Sequence, residues 1–539
     1  MVNLDLPSFF NTISKANVSR DMKYLILIFC IILSLQLSAQ VPEDALRLSW
    51  TAPSGTARQQ AIGGAMGSLG GEISAAFVNP AGLGFYRTSE IVVSPGFRLQ
   101  KDNANYRGTN TSGNSANNFN LGTSGFVFGF PSRDNTGFVL SLAVNRAANF
   151  GSNTSYKGQN DYSSFSEQYA EEFANSGLSI NDAIASNTLS YGTRMALYTY
   201  LIDTATIGGV TQVIGQPQKI LNAQGVLNQV NNISTKGGIT EISIGLGGNS
   251  NEKLYFGVSI GIPIVSYTRH LSFTESDATG NTNNDFASST YNETYSSKGG
   301  GVNAKLGIIY VPVSSWRLGL AVHTPTVYAL TDAISADMTT NSENYTSSHI
   351  ISVTSDMLDQ NTGSGNVKYD LSSPWRIIVS GSYLFGGGAE DVKQQKGFIT
   401  GDIEYVANRS SRFTSPQDDN GNPVYDAGYF DAVNSTIKSY YKNNFNFRLG
   451  GELKFNTLAA RAGFSYSMTP YSQSDLKADR IFASAGIGYR NKGIFVDLTY
   501  VQGFTKDVNF PYRLADKSNT YAVVKQTSGT VLMTVGFKF

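Results

Sequence analysis

The feature that most constrains this chain is a unit of alternation about ten residues long, repeated from about residue 90 to the last residue. In the clearest copy Phe445, Phe447, Leu449, Leu453 and Phe455 share one parity, while Asn446, Arg448, Glu452 and Lys454 share the other. Successive side chains of a strand point to opposite faces, so the segment reads as a strand with one apolar and one charged face. A soluble sandwich gives the same pattern, and the connections separate the two. Strands are expected near 90–99, 121–130, 137–147, 238–247, 254–264, 301–311, 316–323, 374–385, 397–406, 445–455, 458–467, 481–490, 493–503 and 529–539. The links between them alternate between short ones, such as 248–253, 312–315, 456–457 and 491–492, and long ones, such as 148–237, 265–300, 324–373 and 407–444. Short turns at one rim and long loops at the other mark a transmembrane barrel. Strands of about 9–11 residues suit a tilted crossing of the bilayer core.

An even strand count places both ends of the barrel on the short-turn rim, the periplasmic one if the membrane is an outer membrane. In the last strand Val531, Met533, Val535, Phe537 and Phe539 share a face, and its closure on the first strand removes the sheet edges that lipid does not tolerate. Trp316, Trp375, Tyr383, Phe385, Tyr405, Tyr489 and Tyr500 lie near strand ends, where interfacial aromatics collect.

Composition agrees with many strands and turns: 55 glycines, 29 tyrosines and 31 phenylalanines, with 15% of residues charged. The net charge of zero offers no basic surface for nucleic acid. Met22-Lys23, the apolar run Tyr24–Leu35 and Leu37-Ser38-Ala39-Gln40 read as the three parts of a secretory signal peptide, with Met22 as the expected start. The run is shorter than the roughly 20 residues of a spanning helix. Cys30, the single cysteine, lies inside it behind the bulky Phe29, so neither lipidation nor disulfides are expected in the mature chain.

A barrel of about this size leaks unless something fills it. The candidate is residues 40–89, rich in small residues at Gly63-Gly64-Ala65, Gly67, Gly70-Gly71 and Ala75-Ala76. With Ser54-Gly55-Thr56-Ala57-Arg58 and Asn79-Pro80-Ala81-Gly82-Leu83 ahead of the first strand, this stretch resembles the FadL/TodX family of outer-membrane transporters for long-chain fatty acids and other hydrophobic compounds. The likeness extends to His323-Thr324-Pro325, Ser373-Pro374-Trp375-Arg376 and the terminal Phe539. It implies an amino-terminal hatch plugging a fourteen-stranded barrel, ligand capture on extracellular loops, a pocket near the hatch amino-terminus, and lateral exit at a kink in the third strand. The matching position for the kink is Asn145–Asn149, where alternation decays. The hatch motif is shared by PorV-like shuttle proteins of a bacterial secretion system, which keeps a role as assembly partner for secreted proteins open. Read without the resemblance, Asn79-Pro80 is a turn or helix stop.

The longest loop carries Phe165, Tyr169 and Phe173 at helical spacing and a second dense stretch, Met195–Ile202, with Leu197, Tyr198 and Leu201. Such apolar faces must bury themselves on a ligand or on the barrel. Arg146, Arg376, Arg448 and Arg461 are inward by parity, where they could meet a carboxylate or pair with Asp402, Glu404 or Glu452.

Gly257-Val258-Ser259-Ile260-Gly261 fits the nucleophile-elbow pattern, but it lies in mid-strand with no helix after it. His270, His323 and His349 have no metal-ligand spacing, and Asp418-Asp419-Asn420-Gly421 lacks the later glutamate of a calcium loop. The sequence thus predicts an all-β membrane protein that is not an enzyme and needs no metal or cofactor. The expected parts are a signal region over 1–39, a hatch over 40–89 and a barrel of about fourteen antiparallel strands over 90–539, one of whose long loops is partly helical. Its expected partners are a hydrophobic ligand, outer-membrane lipid and lipopolysaccharide, and the barrel-assembly machinery during biogenesis.

Overall fold

The computed structural model describes residues 42–49, 53–131, 137–207, 209–359, 366–386, 395–425, 428 and 430–539. The expected signal region and Cys30 lie outside these residues. No helix among them is long and apolar enough to cross a membrane.

Fourteen antiparallel strands close on themselves, several of them broken once. They are β1 (Glu90–Val93 and Pro95–Tyr106), β2 (Ala116–Leu121 and Ser124–Pro131), β3 (Gly137–Asn149, continued by Ser152–Asn160), β4 (Leu227–Ser250), β5 (Leu254–Asp277), β6 (Ser288–Val313) and β7 (Trp316–His323 and Val327–Asn341). The second half is β8 (Asn366–Ser372 and Arg376–Phe385), β9 (Gly397–Val406 and Arg412–Thr414), β10 (Asn444–Phe455), β11 (Leu458–Ser467), β12 (Arg480–Asn491), β13 (Ile494–Asn509) and β14 (Ala522–Lys538). Each strand pairs with the next, and β14 closes on β1 through registers such as Ile91↔Phe537 and Phe97↔Val531.

Alternation sets the faces as expected. Phe445, Phe447, Leu449, Leu453 and Phe455 are exposed on the outside, as are Val531, Met533, Val535, Phe537 and Phe539. Asp402, Glu404, Glu452, Arg461 and Asp497 are buried on the inside. This is a soluble protein's polarity reversed, and it fits a wall with lipid outside. Trp316, Tyr383 and Tyr489 are exposed near strand ends, while Trp375 and Tyr500 are exposed at the break of β8 and midway along β13. The short rim is made of tight turns; Lys492 and Gly493 both have positive φ, 47° and 85°, the geometry whose twist matches that of a hairpin.

Two expectations need correction. Several strands are far longer than ten residues: β4 and β5 have 24 and β6 has 26, so the expected loop 265–300 is mostly a hairpin rising out of the barrel. Strands β7, β8 and β9 likewise extend into the expected loops 324–373 and 407–444. Above the lipid level the outward positions become Ser, Thr, Asn and His while inward ones such as Val265, Tyr267 and Phe273 are apolar and buried, so strand geometry persists and the alternation inverts. Arg146 is also not inward: it is in register with Thr240, on the parity of the exposed Ile242, and its guanidinium donates to Thr240 Oγ1 at 2.9 Å.

Candidate ligand site in the lumen

Residues 53–89 fold into the barrel as short turns and helices, Ala57–Ala61, Ala75–Val78 and the 3-10 turn Pro80–Phe85. Asn79 organises this segment. Its Oδ1 accepts from Ala81 N at 3.1 Å, capping the turn, and its Nδ2 donates to Gly67 O at 2.6 Å and reaches Ile308 O and Leu320 O of β6 and β7 at 3.3 and 3.4 Å. Pro80 holds the first helical position, where a missing N–H costs nothing. The wall must be bare at this contact: a Cβ on Gly307 would lie 1.8 Å from Asn79 Oδ1, and one on Gly257 2.3 Å from the Pro80 carbonyl. Gly63, at φ 67°, takes a left-handed turn against β11, where a Cβ on Gly463 would meet its nitrogen at 2.0 Å. Pro80, Ala81, Gly82 and Gly64 are buried in the same interface.

Charge fixes the rest of the segment. Arg58 donates to Glu452 of β10 at 3.0 Å; Glu452 also accepts from Arg461 at 2.6 Å, which donates to Asp497 at 2.6 Å. Asp402 of β9 accepts from Met66 N and Gly67 N at 3.0 and 3.1 Å and from Ser380 Oγ at 2.5 Å. His323 Nε2 sits 2.7 Å from Val78 O, and Ser259, the residue of the elbow-like pattern, donates to Ala76 O at 2.7 Å. Asp418 is the acceptor of a turn, taking the Asn420 and Asn422 amides at 2.9 and 2.8 Å.

Above this segment lies a cavity of about 160 Å³. Its roof includes Leu48 of the helix Pro42–Ser49, whose Ala45, Leu46 and Leu48 are buried against Tyr328, Tyr369, Phe413 and Tyr441. Its floor includes Phe77 and Val78, and its wall includes Ile239, Tyr328, Ile378 and Phe482 together with Lys305, Arg376, Arg448, Glu241 and Glu404. Glu404 takes Arg448 at 2.5 Å and faces Arg376 at 3.6 Å, and Lys305 is paired with Glu241. Asp402 also lies beside Arg448, so three carboxylates meet the three cations.

One side of the cavity is formed by Asn145, Ala147 and Ala148 of β3. Here the register with β4 shifts: Ile239 pairs with Ala148 but Thr240 pairs with Arg146, so Ala147 is an extra residue in the strand, a β-bulge. On its other side β3 is paired with β2 only as far as Val144↔Ser124; from Asn145 onward no ladder partner exists there among the described residues. The wall is joined again higher up by side chains, Ser152 and Thr154 donating to Asp102 of β1 at 2.5 and 2.6 Å. Asn145 bridges the break: its Oδ1 accepts from Gly55 N at 3.2 Å and from Thr123 Oγ1 at 3.3 Å, and its Nδ2 donates to Ser54 Oγ at 3.3 Å. The sequence marked this stretch only as decaying alternation.

The loop residues lie elsewhere, in a cap over the long rim. The helices are Glu167–Ser176 and Tyr191–Tyr198, so Phe165 precedes the first and Leu201 follows the second. Phe165, Tyr169, Phe173, Leu197 and Leu201 are buried in one cluster with Phe273, Tyr291 and Tyr512, and Tyr198 is exposed. The structure does not bring them to the lumen cavity. Lumen residues that sequence reading missed include Lys305, Glu241 and Phe482, which carry no local signal beyond inward parity.

No protein-family model matches the sequence, and no curated protein does. Solved structures do resemble the fold. A crystal structure of a Pseudomonas aeruginosa FadL homologue aligns with 91% of this chain and 100% of its own at 14% identity and a TM-score of 0.52. The P. putida toluene transporter TodX aligns over 90% and 99% at 12% identity and a TM-score of 0.48. The Ralstonia pickettii toluene transporter TbuX aligns over 92% and 100% at 13% identity and a TM-score of 0.46. The closed barrel, with its amino-terminal segment folded into the lumen, therefore has the fold of the FadL homologue.

Proposed function

We propose that this chain lies in a bacterial outer membrane, with its short turns and carboxy-terminus periplasmic, and passes hydrophobic small molecules by diffusion. The observation that carries this reading is the junction of the lumen cavity with the unpaired edge of β3. A plugged barrel with a break in its wall offers a route from lumen to bilayer that never crosses the hatch. In this reading residues 53–89 are the hatch and Asn145–Gly151 border the lateral exit. The volume of about 160 Å³ is close to the roughly 150 Å³ of an apolar cavity that accepts benzene. Arg376 and Arg448 on the wall favour an amphiphile whose acid group faces them and whose first carbons lie among Leu48, Phe77, Ile239 and Phe482, as those of a fatty acid would. The cap aromatics Phe165, Tyr169 and Phe173 face one another in this state, so capture on them requires the cap to open.

The test is native mass spectrometry of the full chain extracted gently from the membrane, followed by identification of what it carries. A copurified fatty acid or similar amphiphile, lost when residues 41–89 are deleted from a barrel that still folds, is the expected result. A ligand-free barrel that instead retains a secreted protein would overturn it in favour of a shuttle.

A further inference from the structure

On the outside of the barrel, at the top of the apolar belt, three lysines from three adjacent strands come together. Lys506 of β13 is in direct register with Lys525 of β14. Lys525 is opposite Asn103 of β1, and Lys101, two residues before Asn103, is opposite Thr527. All three lysines are exposed. They share the outward parity of Phe504, Leu99, Phe97 and Val531, which form the lipid-facing surface just below them. Directly opposed side chains in an antiparallel pair have Cβ atoms about 5 Å apart, and diagonal ones lie about 7–8 Å apart, so three ammonium groups can converge on one small anion.

No ion pair engages Lys101, Lys506 or Lys525 among the described residues, although seventeen other pairs form in the molecule. The neighbouring carboxylate is Asp479, whose carbonyl accepts from Lys506 N at 3.3 Å. Its side chain is occupied, accepting from Tyr466 Oη at 3.1 Å and Thr469 N at 3.0 Å. A like-charge pair set directly across a ladder weakens the sheet unless an anion sits between the two charges. A lone interfacial lysine needs no such partner, because its stem covers apolar surface while its head reaches water. Two in direct register with a third on the diagonal are a different case.

We infer that Lys101, Lys506 and Lys525 form a binding site for the phosphate of a membrane lipid headgroup in the leaflet on the long-loop side. The lipid's acyl chains run down over Leu99, Phe97 and Phe504, and its phosphate sits among the three ammonium groups. A lipid satisfies both halves of this surface, the apolar patch and the cations, whereas a free phosphate satisfies only one. The site is separate from the lumen and does not depend on the transport reading.

The experiment is native mass spectrometry of the full-length barrel in neutral detergent, titrated with a phosphorylated acyl glycolipid, with the same glycolipid after phosphate removal, and with inorganic phosphate. The wild-type chain should bind the phosphorylated form at least tenfold more tightly than the dephosphorylated form, with millimolar inorganic phosphate displacing little of it. The variant Lys101→Gln/Lys506→Gln/Lys525→Gln should lose that preference, and Lys101→Arg/Lys506→Arg/Lys525→Arg should keep it. The wild-type comparison needs no variant, so a variant that fails to fold leaves the test intact. Equal affinity of the wild type for the two glycolipids would overturn the site, and full displacement by inorganic phosphate would show a free-anion site in its place.

Discussion

The amino-terminal segment and the cap are both packed against the same barrel and both bury apolar side chains, but only the former adds a network of buried ions to that packing. Beside the apolar contacts of Ile73 and Leu83 with Val127 and Val139, the segment is fixed by ions and backbone amides: Arg58 to Glu452, and Met66 and Gly67 to Asp402. The cap is fixed by aromatic contact, with Phe165 and Phe273 stacked at 4.3 Å between centroids and Phe165 and Tyr169 edge-on at 5.1 Å. The cause is what surrounds each. Inside the membrane much of the wall's apolar surface faces lipid, so polar side chains such as Asp402 and Glu452 share the inner face with apolar ones such as Val139 and Phe398. Above the membrane both faces of the sheet meet water, and an ordinary hydrophobic core becomes available. Apolar packing is non-directional, whereas an ion network fixes one position.

Removing a carboxylate from the hatch network should have the largest effect. Glu452→Ala leaves Arg58 and Arg461 without a shared partner, and breaking a buried pair costs about 3–5 kcal/mol. The expected outcome is a barrel that stays folded on unheated gels but leaks small solutes from vesicles. Phe273→Ala should destabilise the cap by about 3 kcal/mol through the cavity it leaves. It should raise hydrogen exchange over 165–202 without leakage. If the cap variant leaks as much as the hatch variant, the division of labour between the two regions is wrong.

The smallest effect concerns pH and belongs to the cap alone. Glu171 is pushed up to about 7 by burial and by the Asp516 carboxylate beside it, and it accepts from Ala515 N at 2.8 Å. Because its folded value lies above the unfolded one, its contribution is fully present below about pH 4.5 and is lost as pH rises through about 7. Exchange of the 512–517 amides, corrected for the intrinsic rate, should therefore rise between pH 5.5 and 8, and Glu171→Gln should abolish that rise.

The barrel was legible because lipid demands a strict period of two. Each strand core showed it, from the exposed Phe445 and Phe447 to the exposed Val531 and Val535. The strand extensions were missed because the alternation inverts there: outward Ser266, Thr268 and His270 of β5 alternate with inward Val265, Tyr267 and Phe273, the reverse of the lipid-facing pattern. Phe165, Tyr169 and Phe173 were legible as a buried face, because they had to cover something. Asn79-Pro80, for which the resemblance supplied the hatch reading proposed above, was legible as a turn. Its docking on Gly257 and Gly307 was not, since those glycines look ordinary in their own strands. Arg146 was misassigned as inward: it keeps the outward parity of Phe138 and Leu142, and the bulge at Ala147 comes only after it.

The central claim is that ligand leaves the lumen sideways past β3, and Ala148, inward-facing and lining the cavity, is the place to test it. The measurement is uptake of radiolabelled laurate by cells carrying wild-type or Ala148→Trp protein, with surface amounts matched. The account predicts that the tryptophan, by filling the cavity beside the break, lowers uptake at least tenfold while the vesicles remain tight to small ions. Unchanged laurate uptake through the Ala148→Trp barrel would contradict it.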